Sequence, residues 1–460
     1  MGQKTRQLAF DWEAAGEARP RPSQGGSPPS ASAHLETLAQ SLMEAVVAAP
    51  NMRRALRRVR ANKGSPGVDG MTVEELPEFL MAAWPRIRQE LLDGTYQPQP
   101  VRRVEIPKPD GGKRQLGIPT VLDRLIQQAT LQVLDPLYDP TFSPHSYGFR
   151  SGKNAHQALA QAREYVAAGR EWVVDLDLEK FFDRVNHDLL MGRLAKGIGD
   201  KRLLGLLRRY LEAGVLLEGV VREREEGTPQ GGPLSPLLAN ILLDELDREL
   251  TRRGHCFCRY ADDCNIYVRS QRAGERVMAS VTAFLERKLR LKVNRDKSAV
   301  ARPVERKFLG YRLWGNGARV RLDIAPPTLK RFKQTVRRIT RRSRGKRLTD
   351  VLAELHTYTD GWVAYYWRAP TPWVLRDLDG WIRRRLRCYQ WKQWPRPRTR
   401  WRALRQAGVE ARYIRRLAYR QYGPWRMAKT PAMNQVLPNA MLKAKGFHSL
   451  QERYHALASR

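Results

Sequence analysis

Asp262 and Asp263 close the sequence Tyr-Ala-Asp-Asp at residues 260–263, and this tetrad lies between two apolar, β-prone runs. Phe257 precedes it and the run Ile-Tyr-Val at residues 266–268 follows it. A carboxylate pair between two such runs is typical of the turn of a β-hairpin. The tetrad therefore predicts two acidic side chains held at the end of a strand pair.

Asp177 ends a second strand-like run, Trp-Val-Val-Asp-Leu-Asp at residues 172–177. Two strands that bring carboxylates to one point form a candidate site for Mg²⁺, which prefers oxygen ligands. Two such ions about 3.5–4 Å apart suit the in-line displacement of nucleotidyl transfer. Taken alone, Asp262-Asp263 could be a turn pair and Asp177 a helix N-cap. Asp175, on the same strand face, is the rival of Asp177.

The positive charge is concentrated in the C-terminal third. The chain has 83 Lys and Arg against 47 Asp and Glu, for a net charge of +36. Residues 301–460 hold 38 of the basic and 9 of the acidic residues, and nine of the twelve tryptophans. A basic region rich in Trp fits phosphate neutralisation with stacking on bases. Such an excess would repel itself without a polyanion, so we expect a nucleic acid partner.

The four cysteines form no Cys-x-x-Cys pair. Neither a zinc site nor a disulfide framework is therefore expected, and we predict reduced, buried thiols. The N-terminus has no signal-peptide pattern, and no apolar run of about 18 residues suggests a membrane span. We expect a cytoplasmic protein with no membrane partner.

Further motifs follow one another in a fixed order along the chain. They are a Gly-rich loop at 64–70, a hairpin pattern at 101–118, Ser-Tyr-Gly-Phe-Arg at 146–150, Asp-Leu-Glu-Lys-Phe-Phe-Asp at 177–183, a Pro/Gly-rich turn at 228–236 and Phe-Leu-Gly-Tyr at 308–311. With the acidic tetrad, this set resembles the group II intron-encoded reverse transcriptase/maturase family. The resemblance runs from about residue 50 onward and is to bacterial members that lack the HNH endonuclease domain.

The resemblance implies an α+β fold, a right-hand polymerase with fingers, a palm built on an antiparallel sheet, and a helical thumb. A small basic C-terminal DNA-binding segment would follow. The implied boundaries are a disordered leader at 1–33, an N-terminal extension and fingers at 34–170, a palm with fingers insertions at 171–323, a thumb/maturase domain at 324–395 and a DNA-binding segment at 396–460.

The resemblance also implies residue roles at the site of chemistry. Asp177 and Asp262 would hold two Mg²⁺ ions, for which Mn²⁺ could substitute, with Asp263 supporting them. Only Asp177, and not Asp175, opens the Asp-x-x-x-Phe-Phe-Asp block of the family.

Four residues would bind the incoming dNTP. Lys108 and Arg114 match the cations that grip the triphosphate, and the planar guanidinium suits bidentate phosphate binding. Phe182 matches the bulky gate that excludes a ribose 2′-hydroxyl, with Phe181 as the alternative gate. Gln230 matches the residue that contacts the sugar and base of the nucleotide.

Two further groups would contact nucleic acid strands. The primer grip would comprise Phe308, Leu309, Gly310 and Tyr311. Stripes of basic side chains along the helices of the thumb region would bind RNA through its phosphates and its shape. Representative residues of these stripes are Arg331, Arg338, Arg342, Arg383, Arg384 and Arg387. The aromatic residues Trp362, Tyr365, Tyr366 and Trp367 are expected to be mostly thumb core.

The expected function is RNA-directed DNA polymerase and intron maturase, which binds group II intron RNA, assists its splicing and reverse-transcribes it during retrohoming. The implied partners are intron RNA, an RNA template with a DNA primer, target DNA and dNTPs. Without an endonuclease, the primer would come from elsewhere, such as a nascent strand at a replication fork. Two alternatives stay open: a domesticated reverse transcriptase in DNA repair or phage defence, and an RNA-binding protein with a relic palm.

Overall fold

A computed structural model describes residues 41–107, 112–217, 220–222, 226–228, 231–315, 317–419 and 422–459. The chain divides into two compact units between Arg302 and Pro303. The helices described in the first unit are α1 (Leu42–Val47), α2 (Ala49–Ala61), α3 (Leu76–Leu92), α4 (Val121–Tyr138), α5 (Ala155–Ala167), α6 (His187–Gly197), α7 (Lys201–Glu212), α8 (Ser235–Arg252) and α9 (Gln271–Lys288). Its strands are β1 (Val101–Pro107), β2 (Lys113–Ile118), β3 (Trp172–Leu176), β4 (Val215–Leu217), β5 (Val220–Arg222), β6 (Cys256–Tyr260), β7 (Asp263–Val268) and β8 (Ala299–Ala301).

A four-stranded antiparallel sheet with the strand order β6-β7-β3-β8 forms the centre of the first unit. Apolar residues occupy successive positions along β3 and β7, and successive side chains point to opposite faces, so each face of the sheet has its own apolar layer. On one face, Val174 and Val268 lie against Gly274 of α9. On the other face, Tyr267 contacts the ring of Tyr165 from α5. The sheet is therefore packed on both sides and is a rigid support for residues at its end.

A second sheet has the strand order β2-β1-β4-β5. Its hairpin of β1 and β2 confirms the hairpin predicted over 101–118, with Ile106 opposite Arg114. The pairing of β1 with the short parallel strand β4 was not predicted, because a three-residue apolar run carries too little periodicity to identify a strand.

The sequence pattern over 187–213 is helical throughout, but the structure has two helices there, α6 and α7, with a break at Ile198–Asp200. The Asp200 carboxylate accepts hydrogen bonds from the backbone N–H groups of Arg202 and Leu203. It thereby caps α7 and ends any continuation from α6. The same carboxylate accepts from the backbone N–H of Met43, so the break also anchors α1.

The second unit begins with the strand pair β9 (Tyr311–Trp314) and β10 (Arg321–Ile324), followed by helices. These are α10 (Pro326–Ile339), α11 (Leu348–Tyr366), α12 (Pro372–Lys392), α13 (Pro397–Gln406), α14 (Ala411–Tyr419), α15 (Pro424–Met427), α16 (Pro431–Val436), α17 (Asn439–Ala444) and α18 (Leu450–Ala458). The first three agree with the helical sequence pattern, which predicts helices over 328–341, 348–367 and 373–390. Residues beyond 391, which the sequence pattern left as mixed, form short helices around a shared core that includes Leu404, Met433 and Leu442.

Within the described ranges, none of the helices combines the length and the apolar composition needed to cross a lipid bilayer.

Candidate active site

The acidic tetrad forms the tip of the hairpin between β6 and β7. Tyr260 and Asp263 are the last paired residues, so Ala261 and Asp262 make a two-residue turn. Ala261 has φ of 59°, a left-handed conformation that residues with a Cβ adopt rarely. The surroundings of the turn must therefore stabilise this conformation of Ala261, and Asp262 is the next residue.

Asp177 lies one residue beyond the end of β3. In the register of β3 and β7, Leu176 pairs with Cys264 and Asp175 with Asn265. Continuing this register by one residue places Asp177 opposite Asp263, and side chains directly opposite in an antiparallel pair lie on the same face. The structure thus brings Asp177 to the hairpin that carries the acidic pair, at one end of the sheet.

Backbone contacts on the other side hold Asp177 in place. Its N–H donates to Ser298 Oγ at 2.9 Å, and its carbonyl accepts from the N–H of Asn294 at 2.8 Å. Asp175 lies on the same face but inside the ladder, between Asn265 and Ala299. Asp177 follows the last ladder pair, so it is the better placed of the two to face a substrate at the sheet end.

The donor chemistry at this end of the sheet fits a divalent cation, because the Asp177 and Asp263 positions are neighbours and both supply hard carboxylate oxygens. Within the described residues, no group of three or more His, Cys, Asp or Glu side chains is arranged so that it could hold a metal ion. Magnesium sites of this kind complete their shell with substrate phosphates and water. The two neighbouring carboxylates would therefore be only part of the ligand set of such an ion.

The segment after Asp177 carries both candidate sugar gates. Phe181 is buried, whereas Phe182 is half-buried against it, with their rings edge to face at 5.1 Å between centroids. The Phe182 carbonyl accepts from the N–H of Thr228 at 2.6 Å. Phe182 is therefore the more accessible ring, and its backbone is hydrogen-bonded to the segment at Thr228.

Three predicted nucleotide contacts cannot be placed as side chains. Lys108 and Gln230 lie outside the described residues. Arg114 belongs to β2 and is paired with Ile106, and only its backbone is described. On the far side of Gln230, Gly231 approaches β2 closely, because a Cβ on it would lie 2.8 Å from the Gly117 carbonyl oxygen.

The motif at 308–311 is a tight turn in the second unit. Phe308 and Tyr311 exchange both backbone hydrogen bonds at 2.9 Å, and Leu309 and Gly310 have φ of 51° and 84°. Positive φ at both central residues is the signature of a type I′ turn. Phe308 and Tyr311 are themselves buried, so the turn presents mainly the Leu309–Gly310 backbone.

Two tyrosines of α11 hold this turn, which is a more specific role than the core packing predicted for them. Tyr365 donates its hydroxyl to the Leu309 carbonyl at 2.9 Å, and the Tyr311 hydroxyl donates to the Tyr365 carbonyl at 2.5 Å. A Cβ on Gly310 would lie only 2.3 Å from the hydroxyl oxygen of Tyr366. Gly310 is therefore required by this close approach as well as by its φ.

The predicted RNA-binding arginines differ in exposure. Arg331, Arg338 and Arg342 lie on or just after α10 and are exposed, while Phe332, Val336 and Ile339 on the opposite stripe are buried. Arg384 is stacked over Trp425 at 3.9 Å from the ring centroid, and Arg383 is half-buried.

Arg387 is buried, and its guanidinium donates to the Leu437 carbonyl and to Asn439 Oδ1. Its contacts therefore stabilise the packing of the second unit, and it does not lie on the exposed basic surface.

Arg259, directly before the tetrad, was not among the predicted site residues. It is fully buried, and its guanidinium donates to the carbonyl oxygen of Ala261 in the turn. The only signal in the sequence is a lone Arg in the otherwise uncharged strand Cys-Phe-Cys-Arg-Tyr.

Two domain families match the chain. The reverse transcriptase (RNA-dependent DNA polymerase) family matches residues 106–313 and so includes the sheet, Asp177 and the acidic turn. The group II intron maturase-specific domain matches residues 329–408, from α10 into α13 and the residues just after it.

Individual proteins show the same similarity. The chain is 34% identical over 315 residues to Protein YkfC of Escherichia coli, covering 60% of this chain and 83% of that protein. It is 41% identical over 196 residues to the group II intron-encoded protein LtrA of Lactococcus lactis, covering 42% of this chain and 32% of LtrA. Among solved structures, a partial Cas6-RT-Cas1–Cas2 complex matches with a TM-score of 0.36 and 26% identity, covering 54% of this chain and 43% of that one.

The two matched domains follow each other in one chain, and the acidic turn lies within the first of them. The region that matches the maturase domain includes the part of α10 that carries the exposed arginines. The chain therefore belongs to the family of group II intron-encoded reverse transcriptases and maturases.

Proposed function

We propose that this chain is an RNA-directed DNA polymerase that also serves as the maturase of a group II intron. The observation that supports the proposal is the register of β3 and β7. When this register is extended by one residue, Asp177 is opposite Asp263, beside the turn residue Asp262. In this proposal the β6-β7-β3-β8 sheet is the palm, and the residues before 171 form the N-terminal extension and fingers. Residues 324–395 form the thumb and maturase domain.

Asp177 and Asp262 would hold two divalent ions, Mg²⁺ or Mn²⁺, with Asp263 supporting them. When bound, such ions lower the pKa of a primer 3′-hydroxyl and neutralise charge on the leaving group. The chain's own contribution is rigidity. Asp177 is fixed through Ser298 and Asn294, and Asp262 by a hairpin whose strands are packed on both faces. Catalytic groups act best when their geometry is set in advance.

In the proposed reaction, the primer 3′-oxygen attacks the α-phosphorus of a dNTP, and the bond to pyrophosphate breaks. Lys108 and Arg114 would grip the triphosphate, and Gln230 would contact the sugar and base. Phe182 would lie beneath the sugar and exclude a ribose, which its accessibility relative to Phe181 supports. The Leu309–Gly310 backbone would contact the primer strand.

The maturase role would depend on the basic second unit. Exposed arginines on α10, together with Arg383 and Arg384, would bind the phosphates of folded intron RNA. The RNA would perform the splicing chemistry itself, and residues 396–460 would contact target DNA. Such a protein would act in the cytoplasm and on the nucleoid.

The test is primer extension on an RNA template with dNTPs and Mg²⁺, together with a splicing assay on the intron RNA. The double variant Asp262→Ala/Asp263→Ala should make no cDNA yet retain RNA binding and splicing. A matched control is Asp188→Ala/Glu212→Ala, which also removes two carboxylates, both paired with Arg208 on the surface. Extension by the Asp262/Asp263 variant, or loss of splicing in it with RNA binding intact, would contradict the proposal.

A further inference from the structure

Arg259 is a fully buried cation directly beneath the catalytic turn. Because it pairs with Cys264 across the hairpin, its side chain leaves the sheet on the face opposite Asp263. There it meets α8 through Asn240 and Asp247. Burying a guanidinium is unfavourable unless it is paired and fully hydrogen-bonded, so its presence at this position calls for a structural reason.

Each of the five N–H donors of Arg259 has an acceptor. Nε and Nη2 donate to the two Asp247 carboxylate oxygens at 2.8 and 2.6 Å, and Nη2 also donates to Ser146 Oγ at 2.8 Å. Nη1 donates to Asn240 Oδ1 at 3.0 Å and to the Ala261 carbonyl at 2.9 Å. A guanidinium offers five donors in a rigid plane, so this site uses all of them.

The charge of Arg259 is retained in this setting. Burial by itself would lower the pKa of the guanidinium, but the facing Asp247 carboxylate raises it. The side chain therefore stays protonated at any physiological pH, and the network does not depend on a titration.

A second contact holds Ala261 from another direction. A Cβ on Gly148 would lie 2.3 Å from the backbone nitrogen of Ala261, so the Gly148 backbone lies directly against the turn. The Gly148 carbonyl accepts from Asn240 Nδ2 at 2.9 Å, and the Oδ1 of the same amide accepts from Arg259. Ala261 is thus held at its backbone nitrogen by the close approach of Gly148 and at its carbonyl oxygen by Arg259.

We propose that Arg259 is a positioning residue for the catalytic turn. By binding the Ala261 carbonyl, its guanidinium fixes the left-handed conformation of Ala261 and thereby the direction in which Asp262 presents its carboxylate. Strained backbone of this kind persists where the surrounding structure over-determines it. The inference rests on the proposed function, in which Asp262 holds the divalent ions.

The test compares Arg259→Lys with wild type by hydrogen exchange over residues 256–268 and by Mn²⁺ binding followed with electron paramagnetic resonance. Lys keeps a charge for Asp247 but cannot reach all four partners. Its hairpin amides should exchange faster, and its Mn²⁺ affinity should fall by about 10-fold or more, the range seen for outer-sphere support residues. An Asp262→Asn variant defines the Mn²⁺ signal that belongs to the site.

The matched control is Arg202→Lys, a change in another arginine with several partners in the same unit. Arg202 donates to Glu44, Asp200 and the Leu92 carbonyl, and none of these partners belongs to the turn. The control should lose stability yet keep native exchange over 256–268 and native Mn²⁺ affinity. Equal changes in both variants, or none in Arg259→Lys, would overturn the positioning role.

A second variant covers the case in which Arg259→Lys fails to fold. Gly148→Ala leaves the buried charge intact but displaces the turn, and it should show the same faster exchange and weaker Mn²⁺ binding. Native values in this variant would overturn the proposal. These readouts need no DNA synthesis, so a wild type that binds Mn²⁺ but makes no cDNA would contradict the proposed function and not the positioning role.

Discussion

At the scale of single residues, Asp177 and Asp175 share a strand face, but Asp175 is paired within the β-ladder and Asp177 follows its last pair. We expect Asp177→Asn to reduce primer extension by at least about 100-fold, since it removes charge from the site of phosphoryl transfer. Asp175→Asn should retain activity within a few-fold, because Asp175 is paired within the ladder. Single-turnover extension on one RNA template measures both, and the reverse order would assign the metal to Asp175.

The three buried thiols should be inert in the folded protein. Burial raises the pKa of Cys258, Cys264 and Cys388, and the thiolate is the reactive form. At pH 8 a raised pKa lowers the thiolate fraction, so iodoacetamide should label Cys256, which is partly exposed, well before the other three. Peptide mass spectrometry of native and unfolded protein checks this, and rapid labelling of native Cys264 would refute it.

The positions of Asp177, Asp262 and Asp263 could be predicted from sequence because each lies at or next to an end of a short, regular strand. Arg259 could not be assigned a role in the same way. Its partners Asp247 and Ser146 lie 12 and 113 positions away along the chain, on a helix and in a loop. Contacts that depend on how distant elements pack leave no local pattern, so the support beneath the turn had to come from the structure.

At the scale of elements, the turn at 308–311 and helix α11 form one packed unit. Gly310→Ala should destabilise the protein by more than the roughly 1–2 kcal/mol expected for a Cβ at positive φ, because the Cβ would overlap the Tyr366 hydroxyl. Adding Tyr366→Phe should recover part of the loss. Urea unfolding followed by Trp fluorescence measures these changes.

Gly408→Ala is the control for this prediction, since Gly408 has φ of 73° with no atom within 4 Å of the added Cβ. The Gly408→Ala variant therefore measures only the loss of stability that comes from a Cβ at positive φ. Equal losses for Gly310→Ala and Gly408→Ala, with no recovery from Tyr366→Phe, would show that α11 does not constrain the turn.

The exposed stripe of α10 should contribute to RNA affinity through charge. Replacing Arg331, Arg338 and Arg342 by Gln should weaken binding and reduce the slope of log K against log salt by about 2–3, near 0.7–0.9 for each phosphate that is no longer neutralised. Arg344→Gln should leave the slope unchanged, because Arg344 is paired with Glu354 at 2.8 Å. Filter binding across a salt series measures the slope, and an unaltered slope in the triple variant would remove this stripe from the RNA surface.

Elements with strong periodicity could be predicted from sequence, and short ones could not. The helices α10, α11 and α12 follow apolar stripes, and α10 and α12 also carry many basic residues. The break between α6 and α7 depends on one capping residue, Asp200, within an otherwise continuous helical pattern. The short helices after 391 have too few turns for periodicity to show, and they are held by the core that they share with α12.

At the scale of the whole molecule, charge asymmetry should give salt opposite effects on the free and the RNA-bound protein. Repulsion within the basic residues of 301–460 is screened by salt, so raising salt to about 0.5 M should increase the melting temperature of free protein. The RNA complex should lose stability over the same range, because its binding contribution falls. Circular dichroism melts of both forms check this, and shifts of the same sign would contradict it.

The charge distribution was readable from sequence alone, whereas the division of the chain was not. The two compact units meet between Arg302 and Pro303, ahead of the expected palm–thumb boundary at 323/324. The physical reason is that β9 and β10 pair with each other and that Tyr311 is bonded to α11. Such pairing choices depend on tertiary packing, which short strands do not specify.

The fully satisfied ion pair of Arg259 has a consequence for work at elevated temperature. The penalty for removing charges from water falls as temperature rises, while stabilisation by apolar burial levels off. A catalytic turn held by a buried guanidinium should therefore keep its shape on heating better than one held by packing alone. For cDNA synthesis from strongly folded transcripts, which benefits from heat, this arginine is a residue to preserve in any engineered variant.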